Sequence, residues 1–354
     1  MKLTRVRQEM ANAKVDGIIV LEPNNRRYLS GFTGTAANLL ITADQAFLIT
    51  DFRYIEQATA QAPDFKIVKS AGGATLQPLV DLIREKNVRR VAFEPDFLVF
   101  DGYNYLREAL GSDALVPLRG VVEKIRQIKD AKEIELIRKA QSITEQALEK
   151  TLPLIKPGIS EREIALELET WMRRLGASKT GFDTIIASGT RSSLPHGVAS
   201  DKLIEKGDFV TIDCGAVYQG YCGDLTRTYV VGEANDEQRR IYDIVLKAQM
   251  AALNGLKAGI TGRVGDSFAR SIINGAGYEE NFGHGLGHCV GLAIHENPRL
   301  SPADETVLQA GMVITVEPGI YIPGWGGVRI EDTVAITENG IDNLTTIAKD
   351  LRIL

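Results

Sequence analysis

Four histidines occur in 354 residues, and three of them, His284, His288 and His295, fall in one stretch, NFGHGLGHCVGLAIHENP, at residues 281–298. Imidazoles gathered in one loop point to metal ligation, proton transfer or the stabilisation of a developing oxyanion, since a ring nitrogen can serve each purpose. His284 and His288 have the i, i+4 spacing of a zincin helix, but GHGLGH holds three glycines and no HExxH glutamate. A loop is expected instead, its glycines letting the backbone approach a site while the rings turn inward. The fourth histidine, His196 in SSLPHGVASD, precedes an acidic strand, FVTIDCG, much as His295 in AIHENPRLS precedes a second, MVITVEPG.

Those strands bring carboxylates. Asp213 lies in FVTIDCGAVY and Asp224 in YCGDLTRTYVV, with the turn signal Gln219-Gly220 between them. A tight hairpin centred near residues 218 and 219 sets Asp213 opposite Asp224, and directly opposed like charges destabilise a sheet unless a cation or water intervenes. The apolar neighbours Val210, Ile212, Leu225 and Val230 argue for burial. Glu317 ends MVITVEPG ahead of Pro318, which favours an extended chain, and Glu331 follows in GGVRIEDTVAI. Any one such residue is ordinarily a solvated strand carboxylate. Four at related positions in apolar strands carry a charge that an apolar interior does not tolerate unpaired, and two divalent cations would neutralise it. Oxygen ligands completed by one imidazole suit Mn, Co, Fe or Zn.

The elements that must position these groups repeat. IKPGISEREIALELETWMRRLGA (155–177) aligns without a gap with LKAGITGRVGDSFARSIINGAGY (256–278), each with a helix cap, Ser160 or Thr261, and a closing glycine. EKGDFVTIDCG (205–215) matches QAGMVITVEPG (309–319), which sets Asp213 against Glu317. Two helix-then-strand halves related by a pseudo-twofold axis would share one site. Ahead of them, residues 1 to about 120 alternate β-rich runs (GIIVL, ANLLIT, QAFLIT, RRVAFEP) with helical patterns such as TLQPLVDLIREKN. Residues 121–150, with Ile125, Ile128, Ile134, Ile137 and Ile143 at roughly helical spacing, read as a linker and the first helix of a second domain. The expected fold is α/β (α+β), divided as 1–124 and 125–354. A chain of this length exceeds what one hydrophobic core usually supports.

The net charge of -5 leaves no basic stripe for nucleic acid, and no apolar run reaches membrane-spanning length. The three cysteines, Cys214, Cys222 and Cys289, make no disulfide framework, and a cytoplasmic setting is expected. Alternation sends Cys214 away from Asp213 into packing, while Cys222 shares a face with Asp224.

DCGAVYQGYCGD, HGLGHCVGLAIHENP, VEPGIY and GGVRIED together resemble the catalytic signature of the pita-bread metallopeptidases, and within them the Xaa-Pro branch of aminopeptidase P and prolidase. NNRRYLSGFTG and TDFRYIEQA resemble that branch's smaller creatinase-like N-terminal domain, so the likeness spans nearly the whole chain. It implies a pita-bread catalytic domain in which Asp213, Asp224, His288, Glu317 and Glu331 hold two metal ions, Mn or Co before Zn or Fe, with Asp224 and Glu331 bridging. It also implies that His196 and His295 contact the scissile carbonyl, that His284 lines the proline-side pocket, and that Arg329 supports the site or holds a substrate carboxylate. The implied reaction is hydrolysis of the bond between an N-terminal residue and proline, in Xaa-Pro dipeptides or Xaa-Pro-Yaa peptides, by a homodimer. A hydroxide bridging the two ions would attack the carbonyl, and Glu317 would pass the water proton to the departing nitrogen.

The sequence departs from the pattern at Cys289 and Cys214, where family members usually carry Gly and often Phe. Other readings of the same residues are a methionine aminopeptidase-like exopeptidase, which usually lacks the N-terminal domain, and a non-catalytic peptide-binding protein or a creatinase on the same fold, which typically lack the metal set. Asp51, Arg53 and Tyr54 in TDFRYIEQA are candidates for completing the site, against a plainer reading as a strand-to-helix junction.

Overall fold

Apolar runs buried on both faces form the middle of the first sheet, and a half-exposed run forms one of its edges. The computed structural model describes residues 2–71 and 76–354 and divides into two units, Met1–Arg126 and Gln127–Leu354. In the first, β1 (Gly17–Val20), β2 (Ala37–Thr42), β3 (Ala46–Asp51), β4 (Lys66–Ser70), β5 (Val91–Phe93) and β6 (Leu115–Pro117) form a mixed sheet in the order β4-β3-β2-β1-β5-β6. Every residue of β2 and β3 is buried, whereas β4 at the edge is largely open to water. Around the sheet lie α1 (Lys2–Asn12), α2 (Pro23–Ser30), α3 (Ile55–Gln61), α4 (Leu76–Glu85) and α5 (Phe100–Leu110), with α6 (Val121–Gln127) closing the unit. α4 is the predicted TLQPLVDLIREKN helix; Leu79, Val80, Leu82 and Ile83 make its buried face, and its expected first residue, Thr75, lies outside the described residues. Asp51 takes the amide and the guanidinium of Arg53 and caps the short turn that follows β3, the strand-to-helix junction of the plainer reading.

The isoleucine spacing of 121–150 runs through two helices rather than one. Asp130 and Glu133 form a reciprocal capping box that starts α7 (Ala131–Thr151) afresh. The second unit then follows the repeat seen in the sequence. α8 (Glu161–Arg174) is capped by Ser160 and α10 (Gly262–Gly275) by Thr261, while α9 (Asp236–Gly255) precedes α10 as α7 precedes α8. Between α8 and α9 come β7 (Lys179–Thr180), β8 (Ile185–Ser188), β9 (Phe209–Cys214), β10 (Ala216–Tyr218), β11 (Tyr221–Cys222) and β12 (Leu225–Val230). After α10 come β13 (Gly287–Cys289), β14 (Glu296–Leu300), β15 (Val313–Val316), β16 (Gly319–Ile322), β17 (Gly326–Arg329), β18 (Asp332–Ile336) and β19 (Ile341–Asn343). Each half has its own core, one around Ile164, Leu168, Ile212 and Leu225, the other around Val245, Ile273, Ile314 and Val334.

The acidic hairpins correct one expectation. The turn falls at Gln219 and Gly220, both at positive φ (46° and 87°), so Tyr218 pairs with Tyr221 and Leu225 with Cys214. Two adjacent positive-φ residues make the type I′ turn that matches strand twist. Asp213 therefore stands opposite Thr226 rather than Asp224, and the two aspartates are diagonal neighbours on one face. In the second hairpin Val316 pairs with Asp332 and Gly319 with Arg329. That constant register does set Glu317 opposite Glu331, in the break between the two ladders.

The two hairpins are stitched to each other. The Glu331 amide donates to the Thr226 carbonyl (3.1 Å), the Arg329 amide to Thr228 Oγ1 (3.1 Å), and Thr333 Oγ1 to the Asp224 carbonyl (2.8 Å). Behind the seam Arg227, 1% exposed, donates to the carbonyls of Thr226, Glu331, Ile347 and Ala348 and to Asp332 Oδ1 (2.9 Å). A guanidinium out of water needs this full set of acceptors.

The histidine loop returns as β13, pressed against β15. A Cβ built on Gly287 would fall 2.0 Å from the Thr315 carbonyl oxygen, so only glycine allows this approach. Gly287→Ala is expected to destabilise the protein by roughly 1–3 kcal/mol through overpacking, and to displace His288, read as a lower denaturation midpoint together with weaker divalent-metal binding.

Candidate metal centre

Asp224, Glu317 and Glu331 lie next to strand ends in the stitched hairpins, where the ladders break, while Asp213 sits inside the ladder opposite Thr226. Asp224 is aimed by α7, whose Gln141 Oε1 accepts the Asp224 amide (3.0 Å). Ligand atoms of Asp213, Asp224 and Glu331 all lie within 4.8 Å of one another. His288 Nε2 comes to 3.7 Å from Asp224 Oδ2 and 3.4 Å from Glu317 Oε1, which joins the other two predicted ligands to the group.

Burial pushes the carboxyls of Asp224 and Glu331 well above the usual range, with repulsion between the acids adding to it, and holds that of Glu317 up at about 7. Asp213 is raised by burial too, against the pull of Arg329. The cation among them is Arg329, whose Nη2 donates to Asp213 Oδ2 (2.6 Å). One guanidinium against four carboxylates leaves a large excess of negative charge.

The donor set fits divalent cations. Asp213 Oδ1 is buried without a hydrogen-bond partner, and buried polar atoms are rarely left so. The Cys289 carbonyl accepts from His288 Nδ1 (3.1 Å), which places the ring proton there and leaves the Nε2 lone pair facing the carboxylates. Burial also lowers the His288 pKa to about 4, so the imidazole is neutral, as a ligand must be. Alternation along β13 turns the Cys289 side chain, fully buried, away from the His288 ring and into the core opposite Ile314. Cys214 is buried in the other core, and Cys222 lies with its Sγ 3.9 Å from the Leu292 carbonyl.

The accessory residues separate. His295 and His196 are exposed; the His295 ring lies 4.4 Å from that of His288, and His196 acts electrostatically on Asp213, His284 and His295. His284 is tied elsewhere. Its Nδ1 donates to the Gly285 carbonyl (2.7 Å) and its Nε2 meets the Tyr321 hydroxyl (3.0 Å), which itself receives Arg329 Nη1 (2.9 Å). Arg329, 3% exposed, also donates to Thr226 Oγ1 and the Pro195 carbonyl. Its guanidinium is committed to protein acceptors, which fits support of the site and leaves it poorly placed to hold a substrate carboxylate.

Four residues escaped the sequence reading. Thr226 donates to Glu331 Oε2 (2.7 Å), Thr315 donates to Glu317 Oε1 (3.1 Å) and accepts the His288 amide, and Tyr321 and Gln141 act as above. Strand alternation held the signal for the threonines, since Thr226 lies two residues from Asp224 and Thr315 two from Glu317. Gln141 sits at a distance along the chain that no period connects, whereas Tyr321 lies four residues beyond Glu317, on the hairpin strand paired with that of Arg329.

The chain is similar to known proteins over nearly its whole length. Residues 135–338 match the metallopeptidase family M24, and residues 2–128 the creatinase/prolidase N-terminal domain. The chain is 48% identical to an Xaa-Pro dipeptidase from Bacillus anthracis, with a TM-score of 0.97 over 100% of this chain and 99% of that one. It is 40% identical to an X-Pro aminopeptidase from Thermotoga maritima, with a TM-score of 0.91 over 96% of this chain and 98% of that one. An Xaa-Pro dipeptidase of Pyrococcus horikoshii is 42% identical over 99% of this chain and 98% of its own length.

The charge excess has a consequence for stability. Acids raised in the folded state hold protons that the unfolded chain has lost, so they cost stability as pH rises from their unfolded towards their folded pKa values. His284 and His288, lowered to about 4 from 6.5, act in the opposite sense between those values and are spent above 6.5. Metal-free protein is therefore expected to lose the contribution of Glu317 as pH climbs from 4.5 towards about 7, and saturating Mn²⁺ to remove that loss; calorimetry of wild type beside Glu317→Gln, with and without chelator, measures both.

Proposed function

The chain belongs to metallopeptidase family M24, a creatinase/prolidase N-terminal domain preceding a pita-bread catalytic domain, and from that premise we propose that it cleaves the bond between an N-terminal residue and proline. The observation that carries the proposal is the convergence of Asp213, Asp224 and Glu331 within 4.8 Å, with His288 and Glu317 against them. Those five residues would hold two divalent ions, with Mn or Co as the proposed metals. When bound, such ions neutralise the carboxylates, polarise a peptide carbonyl and acidify water near neutral pH.

The chain's own residues then divide the work. Glu317, its Oε1 steadied by Thr315, takes a proton from water and delivers it to the departing nitrogen. That delivery matters because the amide before proline has no N–H, and its nitrogen must gain a proton to leave. His295 and His196, exposed, donate to the carbonyl oxygen as it gains charge. His284 offers a ring face to the proline side, since both its nitrogens are already engaged. Arg329 fixes Asp213 rather than touching substrate. Relatives of both dipeptidase and aminopeptidase name share the fold, so the substrate is proposed as Xaa-Pro dipeptides or Xaa-Pro-Yaa peptides. The three buried cysteines suit a reducing cytoplasm, and a homodimer belongs to the same proposal.

The test is metal analysis followed by assay of an Xaa-Pro dipeptide beside an Xaa-Pro-Yaa tripeptide. The loaded protein should cleave at least one at proline, and the ratio assigns the specificity; cleavage of neither would defeat the proposal. Glu317→Gln should lower kcat by about 10²-fold or more, the usual worth of a positioned acid–base group. Full activity in that variant would remove Glu317 from the proton path.

A further inference from the structure

The segment that carries His284 should be loose, because Gly283 and Gly285 flank it and neither brings a side chain to pack. A pair on α10 ties its backbone, beside the Tyr321 hydroxyl that meets the His284 ring. Arg270 Nη1 donates to the Phe282 carbonyl (3.0 Å) and Nη2 to the His284 carbonyl (2.7 Å). The same guanidinium forks onto Asp266, Nε to Oδ2 (2.6 Å) and Nη2 to Oδ1 (2.9 Å). Asp266, 1% exposed, takes the Leu286 amide at Oδ1 (3.0 Å), so backbone bonds bracket His284 on both sides. The guanidinium also lies 4.3 Å from the centre of the Phe282 ring, and that ring meets His284 edge-on at 5.0 Å. From Leu286 the order passes on, for its carbonyl accepts the amide of Glu317 (2.8 Å).

We infer that Asp266 and Arg270 are positioning residues for the reaction, a clamp on α10 that sets the ring of His284 and the backbone of Glu317. Neither touches the carboxylate cluster, and neither belongs to a stretch that suggested chemistry. A planar fork with five donors can meet two carbonyls and a carboxylate at once; an ammonium at the end of a lysine cannot. The inference rests on the proposed peptidase reading for its kinetic consequence, but not for its structural one.

Two measurements separate those. In ¹⁵N spectra of the histidine rings of metal-free protein, wild type should show His284 as one Nδ1-protonated tautomer. Arg270→Met should shift or broaden the His284 signals and leave those of His196 in place. In the metal-loaded enzyme the same variant should raise KM for an Xaa-Pro substrate by roughly tenfold, with a smaller fall in kcat, the cost of a misplaced binding group. Arg270→Lys should recover only part of both effects, and it carries the test if the methionine variant does not fold. Ile273→Ala, a cavity in the core face of α10, should lower the melting temperature yet leave the ring spectra and KM within about twofold of wild type. The clamp is overturned if Arg270→Met leaves His284 and KM as in wild type, or if Ile273→Ala reproduces its effects. If wild-type enzyme cleaves no Xaa-Pro substrate, the peptidase reading falls, while the ring spectra still decide the clamp.

Discussion

The burial of Asp213, Asp224, Glu317 and Glu331 together is the constraint on which the rest of the catalytic unit depends. Drawing four carboxylates out of water towards one centre, with one guanidinium among them, raises their pKa values, repulsion adds to this at Asp224, Glu317 and Glu331, and both oppose folding. The surrounding structure must therefore be stiff enough to hold them in place. Arg227, Asp332 and the backbone bond from Glu331 to Thr226 supply that stiffness from behind. Burial of Arg227 with Asp332 is costly on its own, and breaking such a pair typically costs about 3–5 kcal/mol.

The internal repeat explains how the charges meet, but the halves are not copies. The first hairpin makes its acids diagonal neighbours, and the second sets them face to face. Two residues of register separate these arrangements. The difference leaves Thr226 opposite Asp213, where it donates to Glu331 and accepts from Arg329, a bridge that a strictly repeated register would not provide. The histidine side is likewise unequal: His288 faces the carboxylates, His284 is drawn back to Tyr321, and His196 and His295 stay open to solvent.

Much of this was legible in the chain. Continuous apolar runs marked β1, β2 and β3, and capping residues at Ser160 and Thr261 marked the paired helices. Short edge strands were not legible: β4 is half-exposed and β6 spans three residues, too little for a period to show. The hairpin register was misjudged by two residues because Gln219 occupies a positive-φ position that its side chain does not advertise. Cys289, odd in a loop of glycines, is ordinary once the loop becomes a strand, since alternation turns it away from His288 into the core. Arg329 could be placed beside Glu331 by alternation, yet only its bonds to Asp213, Tyr321 and Pro195 show what it holds.

The sequence by itself determined the ligand types, their order and the repeat that pairs them, because residue chemistry and strand alternation are local properties. It also determined that these charges needed compensation, since burial follows from the apolar residues around them. Tertiary structure alone decided which atoms face one another: the register of each hairpin, the tautomers of His284 and His288, and the reach of Arg270, Gln141 and Tyr321 into the site. The tautomers turn on carbonyls one residue away and the reaches on residues far apart in the chain, but both follow from turn geometry and from how closely backbones can approach, and no spacing along one strand encodes them.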